Sequence, residues 1–518
     1  MNFRLLAVFT RVITIELDNQ DIYESTEPYD LYLNGKLILS GQTRNVCSVY
    51  DLEPATRYEL TLSAASGTGS QTVETLPEYV RLDVRRFGAK GDGVAVDTSA
   101  IQAAILCCPT NGSVYLPAGV YMSGPLFLKS EMTLELAKGA VLRGITDREE
   151  YPILPGMTWT TDEAGEYNLG SWEGNPLDSM ASLLTGIGVH DVSIIGRGIL
   201  DGNSDQGDWW IEPKKKRRAW RPRMLFFNRC RNIRVQGITI TNSPAWTVHQ
   251  YFCHDMDLVD FHIRNPDSSP NTDGIDIESC ERVQVIGAHI SVGDDCIAVK
   301  SGKMYMGQTY KTPSREITMR NCFLERGHGG LVIGSEVSAG AHQVSMVQSV
   351  FLRTDRGLRI KTRRGRGNQS FVDGITLSNV SMKEVGVAFV VNMFYSCDPD
   401  GKSEYVHSKN SPPVDMYTPR VGTIRCENVV CEDCTIAGGV FYGLPEMPVE
   451  DIELANISIR FRSDAEPGLP DMLEGVDPVR CLGLYASHVR KLKLQNVSIE
   501  GFEGERLQLE NIGRFEEV

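Results

Sequence analysis

Three carboxylates stand out by type and spacing: Asp273 in Asn271-Thr272-Asp273, and Asp294 with Asp295 in Gly293-Asp294-Asp295, 21 and 22 positions further on. Carboxylates forced together raise one another's pKa, so one can hold a proton as an acid while another stays ionised as a base. That is the equipment for hydrolysing a glycosidic bond. An inverting mechanism needs the two groups ~6.5–9.5 Å apart to admit a water, and a retaining one ~5–5.5 Å. Three carboxylates offer both separations, so spacing in the sequence leaves the stereochemistry open. Two more polar clusters follow in order, Gly327-His328-Gly329 and Arg359-Ile360-Lys361. Arg359 and Lys361, at i and i+2, project from one face of a strand, and a guanidinium fork beside an ammonium suits a carboxylate-bearing ligand. Taken singly, each cluster has a bland reading as a turn or a solvated face. Their order along one architecture is what points to a site.

The elements that must position these groups are short strands. Apolar alternations begin at Ile233, Leu258 and Val283, 25 residues apart, and recur at Ile317, Val344, Ile375, Ile452 and Leu492 with Gly or Asn turns between them. A strand-and-turn period of 20–30 residues without helices is the mark of a solenoid, and a parallel β-helix fits best. One coil then brings residue i beside residue i+20 to i+30 at ~4.8 Å, which sets Asp273 next to Asp294 and Asp295. Ahead of the solenoid, Asp97 is placed to cap a short helix whose apolar face is Ile101, Ala104 and Ile105. Residues 1–78 read as a small β-sandwich with strands at Val12–Leu17, Asp30–Leu33 and Tyr58–Leu62. Tyr29 to Gly35, Leu52 to Tyr58 and Glu74-Thr75-Leu76-Pro77 in that segment resemble a fibronectin type III domain. The β-helix is assigned to residues 79–518.

Composition excludes whole classes. With 52 Lys+Arg against 67 Asp+Glu, a net charge of −15 argues against nucleic-acid or anionic-membrane binding. No apolar run approaches 18 residues, and the Leu5–Phe9 run is cut by Arg11 without a cleavage pattern, so a soluble, cytosolic protein is expected. Thirteen scattered cysteines suit reduced thiols; Cys426, Cys431 and Cys434 have metal-like spacing but lack a nearby fourth ligand. There is no phosphate loop or zinc-protease motif.

As an ordered set, the four clusters resemble polygalacturonases of the pectin-degrading glycoside hydrolase family 28, over roughly residues 82 to 518. Asn242-Ser243-Pro244-Ala245-Trp246-Thr247-Val248-His249, Cys296 to Gly302 and Arg356 to Thr362 are similar to its bacterial branch. The resemblance implies a right-handed parallel β-helix and an inverting hydrolysis of galacturonan, a pectic poly- or oligosaccharide, with no metal or other cofactor. It implies Asp294 as the general acid, Asp273 and Asp295 as the groups that hold and deprotonate water, and His328 as support for the acid and the sugar. Arg359 and Lys361 would bind a galacturonate carboxylate and Asn271 would orient its neighbours, with His249 and Tyr395 as further substrate contacts. Two extra segments, Thr158 to Pro176 with Trp159 and Trp172, and Lys303 to Ser314, resemble those of exo-acting members, whose loops wall off one end of the cleft. The basic run Lys214 to Arg218 reads as a solvated loop or as a contact to the acidic polymer. Rhamnogalacturonan is the rival substrate; a calcium-dependent pectate lyase and a non-catalytic β-helix binder are the rival classes.

Overall fold

The apolar alternation stacks into rows. In the computed structural model, which describes residues 1–159 and 166–518, Leu225, Val248, Ile275, Ile297, Leu331, Leu358 and Phe389 pair in register from coil to coil. A second row runs Ile233, Met256, Val283, Ile317, Val344, Ile375 and Ile424. A third runs Ile240, Ile263, Ile290, Leu324, Phe351 and Met382. All point inward and are buried, each contributing roughly 1.5–3 kcal/mol of transfer free energy. The result is a right-handed parallel β-helix whose strands form one continuous ladder.

Corners need the left-handed backbone that asparagine tolerates. Asn379, Asn428, Asn456 and Asn496 all have φ between 52° and 54°. Each successive Nδ2 donates to the previous Oδ1 at 3.0 Å, so the corner side chains form their own ladder. Cysteines occupy another corner, where the Cys230 and Cys253 amides donate to the sulfurs of Cys253 and Cys280 at 3.3 Å. Cys426, Cys431 and Cys434 are buried in the apolar core along the strand Thr423–Cys434, as small apolar fillers.

The helix Thr98–Cys107 plugs the first coil with Ile101, Ala104 and Ile105. Asp97 sits at its N-terminus but does not cap it. Its carboxylate accepts the Lys90 and Gly91 amides instead, tying down the Gly-rich turn before it.

Ahead of the solenoid, β1 (Phe3–Val8), β2 (Ile13–Leu17) and β5 (Val46–Val49) form one antiparallel sheet. The other orders β4 (Lys36–Arg44), β3 (Glu24–Leu33), β6 (Arg57–Ala64) and β7 (Gly67–Glu74). Tyr29, Leu31, Leu60 and Leu62 pack against Ile13, Ile15 and Leu17 between them. This sandwich docks on solenoid corners through buried polar groups. Glu16, 1% exposed, accepts Arg320 Nε and Nη2 at 2.8 and 3.0 Å and Asn321 Nδ2 at 2.8 Å. Ser48 donates to Asp260, which also faces Arg44 at 3.1 Å. Arg4 also reaches Glu16 at 2.8 Å but is mostly exposed, so Arg320 is the more buried of the two cations that offset this buried carboxylate. Arg320→Ala is therefore expected to cost up to about 3 kcal/mol, seen as a lower urea midpoint. The exposed Arg315→Ala is the control, and equal midpoints for both variants would remove Glu16 from the docking account.

Candidate active site

Each polar cluster occupies the turn that leads into, or the outward face of, one strand on a single side of the β-helix. Asp273 precedes Ile275–Glu278, Asp294 and Asp295 precede Ile297–Lys300, and His328 precedes Leu331–Gly334. Arg359 and Lys361 lie in the next strand, Arg356–Lys361. The coil-to-coil hydrogen bonds continue into the turns: Gly274 N donates to Asp295 O at 2.9 Å, and His328 N to Asp294 O at 3.2 Å. Asp273 thus sits over Asp295, and Asp294 over His328. Carboxylate oxygens of Asp273, Asp294 and Asp295 fall within 4.8 Å of one another. They open on a cleft of about 690 Å³ that Asn271, His328, Arg359, Lys361 and Tyr395 also line. A broader groove of about 900 Å³ lies on another sheet face; Asp255, Asp257 and Glu316 line it, but among the described residues they do not converge as the triad does.

The three carboxylates are not equivalent. Burial would raise Asp295, but Lys361 Nζ at 2.6 Å and Arg359 Nη1 at 3.5 Å overcome it and hold its pKa down to about 2. Asp294 is pushed above the ordinary carboxylate range by burial and by the charge of Asp295. Its Oδ1 accepts the Asp295 amide at 2.9 Å, which leaves Oδ2 free toward the cleft. Asp273 is pushed up further by burial, Asp294 and Asp276, and its Oδ1 has no hydrogen-bond partner. Asp295 is therefore the member most readily ionised, and Asp273 and Asp294 form the pair that holds a proton more tightly. His328 donates from Nδ1 to Asp355 Oδ2 at 2.8 Å, and this bond, with the charge of Asp294, raises the imidazole pKa against the opposing effect of burial. A neighbour pair of raised and lowered carboxylates is the arrangement that acid/base hydrolysis uses.

Comparison with known proteins decides the family. The profile of glycosyl hydrolases family 28 matches residues 133–439, and that of rhamnogalacturonase A/epimerase, pectate lyase-like proteins matches residues 82–135. The chain belongs to glycosyl hydrolase family 28. A probable polygalacturonase of Vitis vinifera is 29% identical over 442 residues, 82% of this chain and 84% of that one. An exo-poly-alpha-D-galacturonosidase of Dickeya chrysanthemi is 27% identical over 416 residues, 72% of this chain and 65% of that one. Among solved structures, a family 28 exopolygalacturonase of Yersinia enterocolitica superposes over 100% of this chain and 98% of its own, with a TM-score of 0.73 at 20% identity. This likeness is one of fold.

In this family 28 chain, some expected contacts take other forms. His249 is not a cleft residue. It is fully buried, and its Nε2 pairs with Glu278 at 2.8 Å under a layer formed by Trp246, Phe226 and Tyr251. The Arg359 fork is not free for a ligand either, because Nε and Nη2 both donate to Asp471 at 3.1 and 2.5 Å. Lys361 contacts Asp295 and lies 5.4 Å from the centre of the Tyr395 ring. Asn271, at φ 55°, accepts Arg221 Nη2 at 2.8 Å, so the buried arginine fixes the turn that carries Asp273. Of the basic run, Lys214 reaches the cleft rim and pairs with Glu173 at 2.8 Å.

Sequence reading missed Lys300, Glu336 and Asp471. Lys300 Nζ lies 3.2 Å from Glu336, 3.3 Å from Asp276 and 3.5 Å from Asp273, over the Trp246 ring at 4.2 Å. The outward, period-2 placement of Lys300 on its strand was the available signal.

The two extra segments meet beside the cleft. Lys303 N donates to Gly174 O at 2.8 Å, and Lys303 Nζ pairs with Asp398 at 2.7 Å. Helix Met304–Tyr310 packs Met306 with Phe226, Tyr251 and Leu154. The floor beyond the triad is thereby roofed over. Residues 160–165 of the first segment lie outside the described residues.

Proposed function

We propose that this family 28 enzyme hydrolyses α-1,4-galacturonosyl bonds of homogalacturonan oligomers, acting from a chain end. The observation that carries the chemistry is one ionised carboxylate, Asp295, beside two whose pKa is raised. Asp294 gives its proton to the glycosidic oxygen as the bond to C1 breaks. A water held by Asp273 and Asp295 attacks C1 and passes its proton to them. His328 steadies the acid, and the unengaged N–H groups of Lys361, beside Tyr395, meet the sugar carboxylate. The names of the Vitis and Dickeya relatives support the substrate, and the roofed floor supports end-wise cutting.

A second reading rests on one distance. One oxygen from each triad carboxylate lies within 4.8 Å of the others, a contact that also suits the ~5–5.5 Å between carboxyl groups usual for retention, against ~6.5–9.5 Å for inversion. The family likeness favours inversion, because the cations that lower Asp295 make it a poor proton acceptor alone but a good anchor for water shared with Asp273.

One digestion of trigalacturonate and polygalacturonate tests all of this. Proton NMR of the first-formed sugar is expected to show the inverted anomer, and chromatography a single short product from the outset. A retained anomer would assign a covalent intermediate on one of the three carboxylates, and a ladder of lengths with fast loss of viscosity would overturn end-wise cutting.

A further inference from the structure

The two carboxylates assigned to the water are secured unequally. Asp295 has Lys361 and Arg359, whereas Lys300 is the one cation within 4 Å of Asp273 among the described residues, at 3.5 Å. Lys300 ends the strand Ile297–Lys300, as Lys361 ends Arg356–Lys361 two coils on, and Gly334, which ends the strand between them, adds no side chain. Two ammonium groups therefore stand in one row beside the acid cluster, two coils apart. Lys300 is not free to attend to Asp273 alone. From the preceding coil Asp276 faces it at 3.3 Å, and from the following coil Glu336 at 3.2 Å. Glu278 and His249 lie in the same buried layer, Asp294 and Asp295 precede Lys300 on its own chain segment, and Lys361 adds a second positive charge beyond them.

We propose that Lys300 is the positioning residue that favours the ionised, proton-accepting form of Asp273 against its surroundings, and that Glu336 and Asp276 set how strongly it does so by competing for the same ammonium. This deepens the assignment of Asp273 and rests on it. An opposite charge at this range favours the carboxylate form, and a like charge disfavours it. Burial, Asp294 and Asp276 push Asp273 toward its protonated form even beside Lys300, and loss of that ammonium would push it further, leaving less of it ionised to accept a proton from water. Lys300 lines the cleft, but its charged partners are all carboxylates of the chain, and it acts on the chemistry through Asp273. Glu336 is itself held ionised, against burial, by Lys300 first and then by Lys303 and Arg366. The extra segment that carries Lys303 thus reaches the chemistry through Glu336.

The test is the pH profile of kcat/KM on trigalacturonate for wild type, Lys300→Met, Lys300→Arg and Glu336→Gln, with folding followed by circular dichroism. Removal of the charge in Lys300→Met is expected to move the acidic limb up by about 1–3 pH units with KM changed less than twofold, and Lys300→Arg to restore most of the limb. Glu336→Gln frees Lys300 for Asp273 and is expected to move the limb the other way. A folded Lys300→Met with an unmoved limb, or one that raises KM alone, overturns the proposal. If that variant does not fold, an unmoved limb in Glu336→Gln overturns it instead. Asp273→Asn separates the two levels. Near-normal turnover there refutes the base assignment itself, whereas lost turnover with an unmoved Lys300→Met limb refutes only the role of Lys300.

Discussion

Asp294→Asn is expected to fold as the wild type does and to lose at least about 10²–10⁴-fold in kcat, the range that a positioned acid contributes. The amide keeps the shape of the side chain, and its oxygen can still accept the Asp295 amide, now at 2.9 Å from Oδ1. What it cannot do is give a proton to a departing oxygen. Folding should not suffer, because the amide matches the protonated acid in shape and removes a carboxyl whose ionisation burial and Asp295 already oppose. KM should hold, since the free Oδ2 faces the bond being broken and not the rest of the sugar. Thermal melting and turnover, measured together, check this. A variant that melts normally and turns over near the wild-type rate would take the acid role away from Asp294.

Lys361→Ala is expected to reduce both turnover and stability, through Asp295. The ammonium at 2.6 Å is the nearest cation to a carboxylate that is 1% exposed. Breaking a buried pair from one side costs about 3–5 kcal/mol when nothing else compensates; Arg359 Nη1 at 3.5 Å keeps the expected loss toward the lower end. The pH dependence has a definite sign. The folded pKa of Asp295, about 2, lies below the ordinary 3.8, so its contribution to stability is present above pH ~4 and fades as pH falls toward 2. Lys361→Ala should flatten that part of the melting curve and lower kcat by more than it raises KM, because a displaced Asp295 displaces the water. If Lys361 only recognised the sugar carboxylate, KM would rise and the acid melting curve would stay as it is.

Much of the site was legible because its groups are polar residues in turns beside apolar strands. The 21 positions from Asp273 to Asp294 fit the expected period, which predicted their stacking, whereas the 34 positions to His328 exceed it because the segment around Lys303 to Ser314 leaves the coil and returns one rung on. Asn271 and Tyr395 also reach the cleft. The failures share a cause. His249 faces outward on its strand as the motif implies, but the helix Met304–Tyr310 and the loop through Leu169 cover that part of the floor, and nothing near His249 in sequence announces them. Arg359 finds Asp471 at a separation of 112 positions, on a loop with no strand pattern to place it. Lys300 lay within the Cys296 to Gly302 stretch, but its importance comes from carboxylates on the coils before and after it. Asp97 was misjudged at short range, where two glycine-turn amides outcompeted the helix for its oxygens. In the sandwich, strand alternation was enough, and the polar docking through Glu16 and Asp260 was not visible because each partner lies more than 200 positions away.

The corner ladder and the strand rows together make the separation of the reacting groups a quantised length. From Asp273 to Asp295 the chain advances 22 residues, and from Asp295 to His328 it advances 33, yet both steps climb one rung. Extra chain leaves at a corner, builds a wall, and returns to the same rung. Such a scaffold can lengthen its loops to change how much polymer enters while the spacing of acid, base and cation stays pinned by backbone hydrogen bonds. Insertions at a corner should therefore alter the length of substrate accepted, whereas a single residue inserted inside a strand such as Ile297–Lys300 would turn Lys300 into the core and bring Val299 out to the cleft.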